Sequence, residues 1–401
     1  MTALRVIQTI PDISIDNGGP SRVVRSLSEA LARGGADTLL LAGDRGHAEQ
    51  RLLRPDPALV TTQLVPISRR AGVPVYGFAA PIAAAHRPGR TIVHDNGIWH
   101  PGNMAATGAA ARQGIPFVIS PHGMLEPWAL AHKPWRKRIA WAAYQQRLLT
   151  AAAGLHATAA PELASIRARL PGPPVAVIAN GVAMPATLPD RAALAGRNSR
   201  RVLAMSRLHP VKNLPGLVAA WAHIAADPAF DDWTLVIRGP DEAGHEAVVA
   251  AAIAAAGLQG RIELGGAVAE ADKPALFAAA DLFILPSFSE NFGITVAEAL
   301  AQGVPVIASH GTPWQSLPAQ RCGWHVAADP ASLAAALQQA MRLDPAARAE
   351  LGCRGHAYAQ ATFGWGRIGA QMARFYEWLL HGRQRGDAAP DFVDAGMTGW
   401  K

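Results

Sequence analysis

The chain has 401 residues, half of them apolar and 17% charged, a mixture that builds packed cores and excludes a disordered polyelectrolyte. Its two cysteines, Cys322 and Cys353, lack CxxC or metal-ligand spacing, which argues against a disulfide framework and makes the reducing cytoplasm the expected compartment. The net charge of +7 suits anionic partners, and the longest uncharged Ala-rich run, 247–259, falls short of the roughly 20 apolar residues of a membrane span.

No basic segment followed by a long apolar run opens the chain, so no secretory signal is expected. Short apolar runs bounded by Gly, Pro, Asn or Asp predict strands at 4–10, 38–41, 91–94, 117–120, 155–158 and 175–178. Segments with helical spacing, 21–33 and 101–113, lie between them. Near-continuous apolar runs of this length fit strands buried on both faces of a parallel sheet. The rhythm resumes at 201–205, 234–237, 261–264, 282–285 and 304–308. Two successive βα series predict two doubly wound α/β domains, at 1–183 and 199–362, joined by a linker at 184–198 rich in Pro, Ala and Arg. Phe363, Ile368, Met372, Phe375, Tyr376 and Leu379 share helical spacing, predicting an amphipathic helix over 363–385. The tail 386–401 is polar and is expected to be mobile.

Chemistry concentrates where strands end. In 282–300 a strand gives way to a loop carrying Glu290, then to a helix carrying Glu298 within an otherwise apolar stretch. Ligands of open parallel sheets sit beyond the carboxyl ends of strands. A carboxylate there does not favour phosphate, but it accepts hydrogen bonds from sugar hydroxyls. After strand 201–205, Arg207 and Lys212 bracket a short loop ahead of a helix; a planar fork and a point charge together suit a pyrophosphate. An isolated Glu-x7-Glu would ordinarily be a helix cap and a satisfied helix residue; two isolated cations would ordinarily be solvated.

The full flank selects another reading. Ser289-Glu290-Asn291-Phe292-Gly293-x4-Glu298-Ala299-x-Ala301-x-Gly303-x-Pro305-Val306 resembles the donor-site motif of retaining glycosyltransferases with the GT-B fold, family GT4. Asn180-Gly181-Val182 matches that family's interdomain Asn-Gly-Val, and the likeness runs from Asn17 to about Val326. The resemblance implies an α/β GT-B fold: two Rossmann-like domains, an N-terminal acceptor domain and a C-terminal donor domain, facing across a cleft, with the last helix crossing back. It implies that Arg207 and Lys212 neutralise the donor diphosphate, aided by Gly18 and Gly19. Glu290, Asn291, Phe292, Gly293 and Glu298 would bind donor sugar and ribose, and Gly239-Pro240 would form a turn near the nucleotide. His122, in Ser120-Pro121-His122-Gly123, would lie close to the transferred sugar and, with Glu290, serve catalysis; a structural histidine remains the alternative. Asp95 is the weakest acceptor-side candidate.

The implied reaction moves a hexose from a UDP- or GDP-sugar to a saccharide or lipid-linked acceptor, in exopolysaccharide or lipopolysaccharide synthesis. No Asp-x-Asp triplet occurs, so no metal or other cofactor is expected. Thr312-Pro313-Trp314 departs from the family's more glycine-rich, acidic run and leaves the sugar-selecting pocket open. Lys133–Trp141 packs four cations and two tryptophans into nine residues, a composition for a peripheral contact with an anionic inner-membrane face, with a solvated surface helix as the alternative. No nucleic-acid motif is present. A nucleotide-sugar 2-epimerase would share the fold; a NAD-dependent dehydrogenase would require Gly-x-Gly-x-x-Gly, which Gly18-Gly19 does not supply.

Overall fold

The computed structural model describes residues 4–70, 72–188 and 200–396. They divide into two compact units: Met1–Gly181 with Trp365–Lys401, and Val182–Gly364. The expected linker falls, from residue 189 onward, outside the described residues, as do the last five residues of the tail.

The strands of unit 1 are β1 (Arg5–Ile10), β2 (Asp37–Gly43), β3 (Thr61–Val65), β4 (Ile67–Arg70), β5 (Val73–Tyr76), β6 (Thr91–Asn96), β7 (Phe117–Ser120), β8 (Gly154–Ala157) and β9 (Val175–Val177). Those of unit 2 are β10 (Arg200–Met205), β11 (Trp233–Arg238), β12 (Ile262–Gly265), β13 (Leu282–Leu285), β14 (Val306–Ser309) and β15 (Gly323–Val326); β16 (Val393–Asp394) belongs to unit 1.

Unit 1 is an eight-stranded sheet in the order β16-β9-β8-β7-β6-β1-β2-β3, parallel except for β16. Neighbouring residues bury on opposite faces, which is why its strands read as unbroken apolar runs. Val6, Ile92 and Val118 face Leu27 and Leu31 of the helix Gly19–Arg33, together with Ile368, Met372, Phe375 and Tyr376 of the helix Trp365–Glu377. Ile7, Val93 and Ile119 face Ala106, Ala109 and Ala110 of the helix Pro101–Arg112. Gly154 admits the Phe375 ring; a Cβ there would lie 2.6 Å from it.

Three features differ from the sequence reading. The apolar pattern from Phe363 onward spans two helices, because Phe363 ends the helix Pro345–Phe363 of unit 2 and Gly364 breaks the chain before Trp365. The tail is tied down: Val393 pairs with Ala176, Asp394 pairs with Val175, and Arg167 Nη2 donates to Asp394 Oδ1 at 3.0 Å. Strands β3 and β15 and the β4–β5 hairpin were not expected; their partly exposed residues give no apolar run.

Unit 2 is a six-stranded parallel sheet, β12-β11-β10-β13-β14-β15. Its core holds Trp221, Trp233, Leu235 and Ile284. In each unit the strand order reverses beside the first strand, between β1 and β6 and between β10 and β13. Crevices for ligands open at such points, beyond the carboxyl ends of the strands.

Candidate active site

The loops after β10 and β13 are fastened together. Asn213, left-handed at φ 53°, donates from Nδ2 to the carbonyls of Pro286 (3.2 Å) and Ala328 (2.7 Å), while Phe288 N donates to Val211 O at 2.8 Å. This brings together two residues 78 positions apart: Lys212 Nζ donates to Glu290 Oε1 at 2.5 Å. Ser287 Oγ donates to the same oxygen at 2.8 Å, and Glu290 N is fixed on Gly311 O at 2.8 Å. Both side chains are about nine-tenths buried, at 10% and 11% exposure. A buried ammonium needs anionic company, and here Glu290 supplies it. Arg207 pairs with Glu242 in a half-exposed contact, which solvent weakens, so its guanidinium is readily re-aimed.

The Gly239–Pro240 turn crosses the Arg207 loop. Leu208 N donates to Pro240 O at 2.9 Å and Glu242 N to Leu208 O at 3.1 Å. A Cβ on Gly239 would stand 1.7 Å from Ser206 O, so glycine is required by this crossing. Gly293, at φ 73°, opens the helix Ile294–Ala301 that carries Glu298. Glu298 Oε1 accepts from Lys273 Nζ at 3.3 Å, and Lys273 also reaches Glu270 at 2.9 Å. Asn291 lies in the same loop, between Glu290 and Phe292. Phe292, expected at the donor, is 6% exposed, and its ring packs 5.3 Å from Trp314 and 5.8 Å from Phe363. Its side chain is core and seats the loop through the Trp314 Nε1 bond to its carbonyl, 2.6 Å.

In unit 1, Gly18 takes φ 71° and the helix Gly19–Arg33 starts directly after it. The preceding loop is anchored by Asp12, whose Oδ1 accepts Ser14 N (2.8 Å) and whose carbonyl accepts Asn17 Nδ2 (2.9 Å) and Ser21 Oγ (3.0 Å). Gly18 and Gly19 leave open space at their Cβ positions, so the backbone there is approachable, although Gly18 N already donates to Ile15 O at 3.2 Å.

Asp95, at the end of β6, is 1% exposed with both oxygens engaged, by Thr9 Oγ1 (2.6 Å) and Asn103 Nδ2 (2.9 Å). No carboxylate surface is left for an acceptor, which corrects that expectation. Burial pushes its pKa up to about 8. Asn96 beside it points Oδ1 at His122 Nε2, 3.1 Å away. His122 sits left-handed at φ 51°, and burial holds its pKa down near 3, so the ring is neutral at physiological pH. The next residue is clamped: Gly123 N donates to Glu162 Oε1 at 2.6 Å, and Glu162 Oε2 accepts Thr158 N (2.7 Å) and Oγ1 (2.9 Å). Glu162, Lys273 and Glu242 were not singled out from sequence, for each acts through a partner distant along the chain; Ser287, three residues before Glu290, reads as an ordinary loop serine.

Beneath His122 runs a buried chain of Tyr376, His94, Ser120 and His156, ending on Ile178 O. The carbonyl end fixes its direction. His156 Nε2 must donate (2.8 Å), so His156 Nδ1 accepts from Ser120 Oγ (2.7 Å), which accepts from His94 Nε2 (2.6 Å), leaving His94 Nδ1 to accept from the Tyr376 hydroxyl (2.5 Å). Both imidazoles are neutral; burial holds His156 near 4 and His94 well below its ordinary value.

These groups set a pH optimum for stability. Unfolded, His94, His122 and His156 each take a proton below about 6.5; folded, His156 refuses it until about pH 4 and His122 until about 3, and burial holds His94 well below its ordinary value too, so acidification favours unfolding. Asp95 acts oppositely: folded, it keeps its proton to about pH 8, whereas unfolded it loses it near 3.8, so raising pH toward 8 favours unfolding. Melting temperature is expected to peak near pH 6.5. Asp95→Asn should flatten the alkaline limb, and an unchanged limb would refute the assignment.

Among the described residues no helix is long and apolar enough to cross a membrane. Two doubly wound parallel sheets, the second with its cation–carboxylate pair at the switch point, define a GT-B glycosyltransferase. Residues 18–181 match the family model of the glycosyl transferase 4-like domain, and residues 190–356 that of glycosyl transferases group 1. The chain belongs to the GT4 family of glycosyltransferases. It is similar, at 25% identity over 386 residues and 90% of each chain, to a D-inositol 3-phosphate glycosyltransferase of Pseudarthrobacter chlorophenolicus. Its fold resembles sucrose-phosphate synthase from Thermosynechococcus elongatus (TM-score 0.74, 22% identity, 94% of this chain and 100% of that one). It also resembles Anabaena HepE, solved in complex with UDP and glucose (TM-score 0.70, 20% identity, 93% and 99%).

Proposed function

We propose that the enzyme transfers a hexose from a UDP- or GDP-sugar to a saccharide or lipid-linked acceptor, with retention and without a metal, in exopolysaccharide or lipopolysaccharide assembly. The observation that carries the reading is the buried Lys212–Glu290 pair at the unit 2 switch point, with Arg207 on the adjoining loop. A diphosphate entering there exchanges with Glu290 for the Lys212 ammonium and takes Arg207 from Glu242. Glu290, released, accepts from the donor sugar hydroxyls, and Glu298 accepts from the ribose.

As the bond from C1 to the phosphate oxygen breaks, the diphosphate leaves with the electron pair. Lys212 and Arg207 take up that charge, so no divalent cation is needed. The acceptor oxygen attacks C1 from the face of departure, and its proton passes to a diphosphate oxygen. His122, neutral, hydrogen-bonds a sugar hydroxyl instead of acting as the base. The relatives' names support the class: one is a glycosyltransferase, and HepE was solved with UDP and glucose.

Thermal melting with UDP, GDP and NAD, each with and without EDTA, tests this. A nucleotide at 100 times its dissociation constant stabilises by about 2.7 kcal/mol. The expected result is a rise with UDP or GDP that survives EDTA. A rise with NAD alone would favour a dehydrogenase, and loss of the UDP or GDP effect in EDTA would end the metal-free reading.

A further inference from the structure

The charge of this protein is not spread over it. Residues 57–161 carry ten Lys and Arg against two carboxylates, Asp95 and Glu126, a net +8, so the rest of the chain is close to neutral. Asp95 is buried, which leaves the surface of this stretch almost wholly cationic. The same stretch holds most of the large apolar side chains that the described residues expose: Val73 (53%), Val75 (43%), Met104, Trp128 (48%), Trp135 (61%) and Ile139 (62%).

The structure separates the Lys133–Trp141 cluster into two roles. Lys137 turns inward, donating to Ala129 O with its ammonium 6.0 Å from the Trp99 ring centre, and Trp141 packs 6.2 Å from Trp99. Trp135 and Ile139, one helical turn apart on Pro134–Ala140, point outward with Lys133, Arg136 and Arg138. Strands β4 and β5 repeat the combination in extended form. Arg70 opposite Val73 and Ser68 opposite Val75 occupy one exposed face of the hairpin. The hairpin packs against the helix Pro101–Arg112 through β5, and so does Gln146–Ala151, the helix into which the cluster's segment continues; exposed residues of Pro101–Arg112 include Met104 and Arg112.

We propose that unit 1 docks on an anionic phospholipid bilayer through this surface, the paired strands β4 and β5 and the helical segment 127–147 acting together around the helix Pro101–Arg112. Exposed tryptophan and aliphatic side chains enter the headgroup boundary, while the flanking cations meet the negative surface potential. A site built for a polyanion in water, such as nucleic acid, has no use for Ile139, Val73 and Val75 at the tip. The docking surface does not depend on the donor-site reading, and vesicle binding is measured without turnover, so either can fail alone.

The test is co-sedimentation of the whole protein with phosphatidylcholine vesicles, with and without phosphatidylglycerol, alongside a short DNA duplex. The expected result is binding to the anionic vesicles, little to the neutral ones, and release in high salt. Trp135→Ser with Ile139→Ser should lower the partition at least about tenfold, and each of Arg70→Gln and Arg136→Gln about fivefold. These residues are exposed, so the variants should melt like wild type, and UDP or GDP stabilisation should be unchanged. No preference for anionic vesicles, wild-type partition in the Trp135/Ile139 variant, or tighter binding to the duplex than to vesicles would each overturn the proposal. Loss confined to the helix variants, with Arg70→Gln indistinguishable from wild type, would remove the hairpin and with it the two-element surface.

Discussion

Turnover is expected to fall by about two to three orders of magnitude when Lys212 becomes Met. The ammonium is aimed where charge develops on the departing diphosphate, and removing one such preorganised donor costs about 10²–10³ in kcat, or about 2.7–4 kcal/mol. The fall should appear in kcat at saturating donor, because the interaction strengthens as the bond breaks. Stability needs separate attention. Glu290 is 11% exposed and would be left without its cation, a change that costs about 3–5 kcal/mol in a buried pair. The double variant Lys212→Met with Glu290→Gln removes both charges together and should recover much of the melting temperature but none of the activity. Wild-type kcat in that double variant, once it is shown to be folded, would end the donor assignment.

The sheets were legible because their strands bury both faces: Leu282–Leu285 and Phe117–Ser120 are apolar at every position but the last of the latter. Thr61–Val65 was not, since an edge strand with exposed Thr61 and Gln63 reads as loop. Two residues, Val393 and Asp394, form too short a segment to carry any period, yet they suffice to fasten the tail to β9. At the site, residue types spoke and pairings did not. Lys212 and Glu290 were each conspicuous beside a strand end, but only the fold shows a single oxygen shared between Lys212 and Ser287. Phe292 carried the motif's pattern, and nothing in that pattern tells whether a ring faces ligand or core; Trp314 and Phe363 decide it. Asp95 failed for a related reason: its partner Thr9 lies 86 positions away.

Glu162 offers the second large effect, and in sequence it is an ordinary helix glutamate. It is 1% exposed, and its two oxygens accept from Gly123 N, Thr158 N and Thr158 Oγ1. Glu162→Ala takes the acceptor from two buried donors on Thr158 and a part-buried one on Gly123, at about 1–3 kcal/mol for each buried group, enough to threaten the fold of unit 1. Glu162→Gln is the more informative change. Its carbonyl oxygen can serve Gly123 or Thr158, but its amide then turns a donor toward the other N–H, so a loss of a few kcal/mol is expected. The turn it holds is strained: His122, with a side chain, sits at φ 51°, a conformation that persists only when its surroundings enforce it. With the clamp on Gly123 loosened, the turn relaxes and the imidazole leaves Asn96 Oδ1, now 3.1 Å away. Measured well below its own melting temperature, Glu162→Gln should therefore lose about tenfold or more in kcat/KM, approaching the value of His122→Ala, and the two changes combined should cost little beyond the larger alone. Activity that falls only with the unfolded fraction, or losses that multiply in the double variant, would show that Glu162 holds the fold without positioning His122.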